Sequence, residues 1–395
     1  MKYINGADIL PPELLEILQD YAQGQYIYIP KKEETKNLRG NMTEYRNELE
    51  KRNAHIYRKH LEGRSNSEIA QLYHLSQPSI RRIIAESRKK FSEVKENMKK
   101  ILSNWSIGGE VRQIYPTAWS IGEDHVMKIY NAGDEISLLR NIKITQMLSK
   151  TDIPVAEVIC TTSGEPYFSD NGKLYVVTRK LRGCNIVNIK SGDGIAHRMG
   201  EVIGRLHLAF QQCDGDIEFW NNSLLDEMNG WVKENIFKHS MISEENFGGA
   251  VEKLQSVYSE LPMQIIHRDV HFGNFLFDCG EFTGYIDFDL SQRNIRIFDI
   301  CYFTAGLLSG EEGKVIAVDD WLEMLRDVVA GYDSKIELSQ TEKRAIPYVM
   351  ENIELLFAAY FSCIDDLKCA EDAVKLFEFV QENEEKIWSV LGISR

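Results

Sequence analysis

The chain has 395 residues, 43% hydrophobic and 27% charged, with a formal net charge of −14; that length is more than one core usually organises, and the composition is that of an ordinary globular protein. It contains no run of about 18 uncharged apolar residues that could cross a membrane, and its first residues lack the basic-then-apolar pattern of a secretory leader. Seven scattered cysteines, none in a CxxC pair, read as the reduced thiols of a cytoplasmic protein rather than as a disulfide framework or zinc site.

Charge divides the chain. Residues 1–100 carry 19 Lys and Arg against 14 Asp and Glu, a net of +5, which leaves 27 against 46, a net of −19, for the remainder. A basic front on an acidic body implies different partners for the two.

Taken in order, residues 12–22 read as a short amphipathic helix and residues 25–29 (QYIYI) as an alternating strand closed by Pro30. A lone strand cannot satisfy its own backbone groups, so a homodimer through the 25–29 strand is the expectation. A helical pattern begins at Glu44 and stops at Gly63. Ser65 or Asn66 can cap a helix through Leu72, with Glu68 placed for a capping box, Leu75–Ser76 make a turn, and Pro78 sits in the first turn of a second helix. Ile69, Leu72, Leu75, Ile80, Ile83 and Ile84 supply a shared core and leave Gln77, Ser79, Arg81 and Arg82 on the outer face. This is a helix-turn-helix pattern, whose second helix presents its N-terminal residues to base edges, so these four are candidate DNA-binding residues. Residues 1–90 resemble the Mor transcription-activator type of DNA-binding protein in the helix, the QYIYIP strand and the signature SxxEIAxxYxLSxxSIRRII. The resemblance implies DNA binding by a dimer paired through that strand. Phe91–Leu102 continues as a Lys-rich helix that links this module to the next.

Trp105–Tyr115 and Thr117–Ile121 read as strands of a small antiparallel sheet. Between elements, Gly108 and Gly109 leave bare backbone where a phosphate can approach. No GxxxxGK[ST] loop occurs in the chain. In DHVMKIYN, Lys128 stands mid-strand among Val126, Met127, Ile129 and Tyr130, and an ammonium buried there without a partner is costly. A helix over 134–149 and a strand over Leu174–Thr178 follow, then a long helix at Ala196–Phe210.

The densest chemistry lies in IIHRDVHFGNFLFDCGEFTGYIDFDLSQRNIRIFD, from Ile265 to Asp299. Strand-like runs at Gln264–Ile266 and Asn274–Phe277 flank a polar loop, and a third run, Gly284–Ile286, delivers Asp287. Asp269, Asn274 and Asp287 at neighbouring strand ends suit phosphate transfer, in which one carboxylate orients a hydroxyl while a carboxamide and a second carboxylate hold Mg²⁺ against a nucleotide's phosphates. Beyond Asp299 the apolar rhythm is helical over 300–308, 313–332, 340–368 and 370–391.

The spacing from His267 through Asp269 to Asn274, followed by IDFDLS, resembles the aminoglycoside phosphotransferase and choline kinase-like superfamily. Arg268 replaces the first Gly of that family's HGDxHxGN string, while His271, Gly273 and Asn274 match it. The rhythm of the C-terminal helices is similar to homoserine kinase-like members.

The resemblance implies an α+β, bilobal protein-kinase-like fold behind the helix-turn-helix domain. Its nucleotide-binding lobe, a small antiparallel sheet, would span 103–182 and its mostly helical catalytic and substrate lobe 183–395. The implied activity is Mg²⁺-dependent transfer of the γ-phosphate of ATP or GTP to a hydroxyl of a small molecule. Asp269 would be the catalytic residue, Asn274 and Asp287 the metal ligands, and Lys128, with Gly108 and Gly109, the phosphate-binding group. His267 and Asp299 resemble structural residues, and His207 packs or caps. The resemblance also calls for an acidic partner to Lys128 on the following helix, but its expected place falls at Asn141, so the partner is either Glu135 or none on that helix. A rival expectation is a transcriptional regulator whose kinase-like lobe senses a ligand without turnover.

Overall fold

The computed structural model describes residues 53, 56–57, 59–60, 64–73, 75–186, 189–213, 223–309 and 316–393. The helix expected over 12–22, the strand over 25–29 with its dimer, and most of the helix beginning at Glu44 lie outside the described residues. Two compact units divide the chain, Met1–Asn97 and Met98–Arg395. The division falls inside the 91–102 linker segment.

In the first unit, helices Asn66–Leu72 and Gln77–Leu102 follow one another, and the second runs on past Asn97. Ser65 and Glu68 close the capping box: Ser65 N donates to Glu68 Oε2 at 2.8 Å, and Glu68 N to Ser65 Oγ at 3.3 Å. Ser79 N donates to Ser76 Oγ at 3.2 Å, which caps the second helix. Ile56, Ile69, Ala70, Ile80, Ile83 and Ile84 form one buried cluster with Tyr57, Tyr73 and Leu75 against it. Leu72, expected in that core, is half exposed.

The second unit opens on an antiparallel sheet ordered β1 (Val111–Tyr115), β2 (Ala118–Ile121), β3 (His125–Asn131), β6 (Lys173–Arg179) and β4 (Val158–Ile159), with β5 (Phe168–Asp170) also paired to β6. Trp105 lies in a short 3-10 turn rather than in the first strand, and the strand begins only at Val111. Gly109, at φ +147°, accounts for the break: a Cβ there would stand 3.1 Å from Gly122 N, whose own hydrogen goes to Glu110 O at 2.9 Å. The helix Glu135–Leu148 lies on the sheet through Leu138 and Ile142, four residues apart, which pack on Tyr130, Leu174 and Val176. Fully burying a side chain such as Leu138 is worth about 1.5–3 kcal/mol.

The larger lobe is mostly helical. Helices Ile195–Cys213 and Val318–Asp333 cross at glycines: a Cβ on Gly200 would strike Val328 O, and one on Gly331 would strike His197 O. Beneath them run two hairpin-like pairs, β7 (Met263–Ile266) with β10 (Gln292–Ile295) and β8 (Phe275–Asp278) with β9 (Glu281–Tyr285). Strand β10 is polar (QRNI), so hydrophobic alternation does not reveal it. Helices Phe298–Gly306, Gln340–Cys363, Leu367–Glu382 and Glu384–Val390 complete the lobe. The helix expected over 340–368 stops at Cys363 because Asp365 turns to φ +59° and Asp366 caps the next helix through Cys369 N at 3.2 Å. The one expected over 370–391 breaks at Asn383, whose side chain donates to Phe379 O at 2.8 Å.

Candidate active site

Strand β7 ends at Ile266, and the chain leaves it as a loop with two anchors. His267 N and Arg268 N donate to the two oxygens of Asp299, both at 2.8 Å, and His207 Nε2 meets Asp299 Oδ2 at 2.9 Å. Asp299 is fully buried, so these bonds are what make a carboxylate tolerable there. His267 Nδ1 accepts from Asp269 N at 3.3 Å, which leaves Nε2 to donate to Ile286 O at 3.1 Å. Both histidines thus brace the loop from inside the core. Arg268 stands at φ +69°, where the resembling family has glycine, and its guanidinium is held by Glu227 at 2.6 Å and Gln292 at 2.8 Å. Backbone strain of about 1–3 kcal/mol at such a residue is offset by those bonds. Asn185 adds a third brace, donating to the carbonyls of Phe272, Gly273 and Phe275 at 3.0, 2.8 and 3.1 Å.

The loop presents Asp269. Its Oδ1 accepts from the Tyr302 hydroxyl at 2.8 Å, and its Oδ2 accepts from Asn274 Nδ2 at 3.1 Å with His271 Nε2 at 3.5 Å. Burial pushes this carboxyl up, but the hydrogen bond and charge of His271, with Tyr302 and His267, outweigh it and bring the pKa down to about 2. Asn274 spends its amide hydrogens on Asp269, with a second bond to the Asp269 carbonyl at 2.9 Å. Its side-chain oxygen makes no hydrogen bond among the described residues. Asp287 follows β9 at φ +67°, an uncommon backbone for a non-glycine residue, with its side chain 39% exposed.

Lys128 reaches this cluster from β3. Its Nζ lies 2.7 Å from Asp287 Oδ1 and 2.7 Å from Asp289 Oδ2. Asp289 also accepts from Tyr130 Oη at 2.9 Å and from Asn141 Nδ2 at 2.7 Å. Burial works against the ammonium, yet Asp289, Tyr130 and Asp287 together raise its pKa above the ordinary lysine value. Burial likewise pushes the Asp289 carboxyl up against the pull of Lys128, and Asp287 adds to that push.

Of the two alternatives for the lysine's partner, Glu135 or none on that helix, the second holds among the described residues. Glu135 accepts from the Tyr167 hydroxyl at 2.7 Å, and Asn141 binds the carboxylate that holds the lysine. The second Asp of IDFD fills the place expected of a helix glutamate, and its two-residue spacing from Asp287 was the available signal. Tyr302 was also missed; it falls one helical turn after Asp299, so both face the loop.

Of the remaining candidates, Gly108 has open space around its Cα, whereas Gly109 is used in closing the hairpin. Gln77, Arg81 and Arg82 are exposed on the helix Gln77–Leu102 and Ser79 is half-buried. They belong to the other compact unit.

Comparison with known proteins agrees with this geometry. A segment of 84 residues is 34% identical to the uncharacterized protein YraL of Bacillus subtilis, 21% of this chain and 97% of that protein. Another of 165 residues is 25% identical to a homoserine kinase of Polaromonas naphthalenivorans, 40% of this chain; the match spans only about half, 51%, of that kinase. Among solved structures, the amicoumacin kinase hAmiN in complex with AMP-PNP, Ca²⁺ and Ami superposes with a TM-score of 0.56 at 17% identity, over 77% of this chain and 98% of that one. Identity that low speaks for the kinase-like bilobal fold alone. The model of the phosphotransferase enzyme family matches residues 107–333, more than half of the chain, and that span holds Lys128, Asp269, Asn274, Asp287 and Asp289: the chain belongs to the phosphotransferase enzyme family.

Proposed function

We propose that the protein moves the γ-phosphate of ATP or GTP to a hydroxyl of a small molecule, with Asp269 as the residue that receives the hydroxyl. The observation that carries this reading is the convergence of Asp269, Asn274, Asp287 and Lys128: Asn274 bonds Asp269, the Asn274 carbonyl accepts from Ile286 N next to Asp287, and Lys128 meets Asp287. Asp269 stays ionised at neutral pH, so it accepts a hydrogen bond from the incoming hydroxyl and aims its oxygen at the phosphorus. A carboxylate with a pKa of about 2 is a weak base, which suits a transition state that is largely dissociative and needs the proton only late.

Asn274 and Asp287 are the residues that would hold Mg²⁺: a free carboxamide oxygen beside a partly exposed carboxylate is an oxygen donor pair of the kind the ion takes. When bound, the ion neutralises charge on the nucleotide's phosphates. Lys128 has two anionic partners, so Asp287 can leave it while Asp289 keeps the ammonium in place for the phosphates. Gly108 offers bare backbone on the same lobe.

The basic N-terminal part is proposed as a DNA-reading module. Its support is the exposure of Gln77, Arg81 and Arg82 near the start of one helix, with Ser79 among them. Replacing Arg81 and Arg82 by Ala should weaken duplex binding and flatten its salt dependence by about one unit per lost phosphate contact.

The test of the catalytic reading is phosphate transfer from ATP and GTP, with Mg²⁺, to a panel of alcohols. Asp269→Asn should lose about a thousandfold or more in rate while nucleotide affinity stays within a few-fold. Equal activity in that variant refutes the assignment. Nucleotide binding by the native chain without transfer to any alcohol points instead to a regulator that senses without turnover.

A further inference from the structure

Two exposed thiols, Cys184 and Cys279, line one cavity of about 530 Å³ together with Ile186, Ile195 and Phe277. The other described cysteines, Cys160, Cys301, Cys363 and Cys369, take no part in it, and neither do Lys128, Asp269, Asn274, Asp287 or Asp289. Cys184 faces Phe277 across an isolated antiparallel bridge, in which each backbone N–H donates to the other's carbonyl at 2.9 Å. Cys279 stands two residues beyond Phe277, at the tip of the β8–β9 hairpin, where Asp278 pairs with Glu281. A two-residue tip with positive φ at both positions favours Asn-Gly or Asp-Gly. Here it is Cys279 at φ +50° and Gly280 at φ +83°. A thiol therefore occupies a place that the backbone would fill more easily with asparagine.

Both thiols sit beside parts that hold the loop of Asp269. The residue after Cys184 is Asn185, whose amide braces that loop through the carbonyls of Phe272, Gly273 and Phe275. The hairpin that carries Cys279 begins at Phe275, next to Asn274, and ends at Tyr285, two residues before Asp287. Its tip is tied down: Arg198 Nη1 donates to Gly280 O at 2.6 Å, and Thr283 Oγ1 donates to Arg182 O at 2.6 Å. Diagonal neighbours in an antiparallel pair stand about 7–8 Å apart at Cα, whereas a disulfide spans less than about 7 Å. Joining the two sulfurs thus draws the tip and the Cys184 segment together, against those bonds.

We infer that Cys184 and Cys279 form a reversible disulfide that shifts Asn185 and loosens the loop of Asp269. The oxidant is a low-molecular-weight disulfide such as oxidised glutathione. The thiolate of one cysteine attacks the oxidant's S–S bond, which breaks; a mixed disulfide forms and one glutathione thiolate leaves. The thiolate of the second cysteine attacks the protein-bound sulfur and expels the other glutathione. Two protein thiols lose two electrons in all, the oxidant is reduced to two thiols, and the two protein thiol protons end on them. Neither the bond nor the response of the loop depends on which reaction the loop serves.

The experiment incubates the full chain with oxidised glutathione and follows three properties. These are the cross-linked peptides by mass spectrometry without reductant, the amide exchange of residues 267–274, and phosphate transfer. The expected result is a Cys184–Cys279 link, faster exchange at 267–274, and transfer slowed about tenfold or more, as ångström-scale misplacement of reacting groups does. Dithiothreitol should reverse all three. Cys184→Ser should abolish the three responses and leave the activity of the reduced chain within about twofold. Cys279→Asn, which suits the positive φ better than cysteine does, should do the same and covers the case of a Cys184→Ser chain that fails to fold. No bond between these two cysteines, a bond from either to another thiol, or a bond that leaves the exchange or an existing transfer activity unchanged overturns the inference. The bond and a loosened loop in a chain whose reduced form transfers no phosphate leave the inference standing and remove the catalytic reading instead.

Discussion

The loop of Asp269 and the lysine on the sheet are brought to the same cluster by different means. From His267 to Asn274 the loop carries a local bond, Asn274 to Asp269 five residues away, and is anchored from further off by Asp299, 31 and 32 residues away, and by Asn185, 87 and 88 residues away. Lys128 is held from 159 and 161 residues away, by Asp287 and Asp289. The helix beside it contributes Asn141, which steadies Asp289 instead of meeting the lysine. An ion pair needs only an opposite charge within about 4 Å, and any element that reaches the place can supply it. A hydrogen-bonded loop needs particular groups at particular intervals, so it tolerates far less reassignment.

That contrast can be broken most sharply at Asp289. Asp289→Asn keeps the shape but removes the charge that lets Lys128 part from Asp287, and kcat/KM should fall about ten- to a hundredfold with a raised nucleotide KM. A variant as active as the native chain would show that Asp287 alone suffices. Asn141→Ala, one step further from the lysine, should cost less than Asp289→Asn.

The loop side is sharpened through pH. His271 and Tyr302 both favour the ionised form of Asp269, His271 the more, so His271→Ala and then Tyr302→Phe should each raise its pKa above about 2. Activity that needs the carboxylate is lost as pH falls through that value. The acid limb of kcat/KM should therefore move upward, further for His271→Ala than for Tyr302→Phe. An unmoved limb in both variants would mean that Asp269 does not govern it. The smallest effect belongs to Glu135→Gln. Its carboxylate serves Tyr167 at an exposed site, so activity should stay within about twofold, and a large loss would restore Glu135 as the lysine's partner.

Much of the candidate site was legible because its residues are neighbours in the chain. Asp269, Asn274 and Asp287 sit at ends of short strands whose apolar runs mark the loop between them, and the helix of Leu138 and Ile142 announces itself by its period. Polar strand β10 gave no such signal, since its side chains are chosen for bonds to Arg268 and its surroundings rather than for a hydrophobic face. The strand expected from Trp105 starts later because Trp105 ends a 3-10 turn closed by Ser106 at φ +53°, and Gly109 follows at φ +147°.

From sequence alone came the kinase-like order of elements, the acidic and carboxamide groups of the loop, and the lysine that needed an anion. Local spacing is preserved in the chain itself, and such features depend on little else. Only the tertiary structure decided that Asp289 is that anion and that the Tyr302 hydroxyl donates to Asp269. Those choices depend on which residues far apart in the chain come within a few ångströms, and on how much water is left between them.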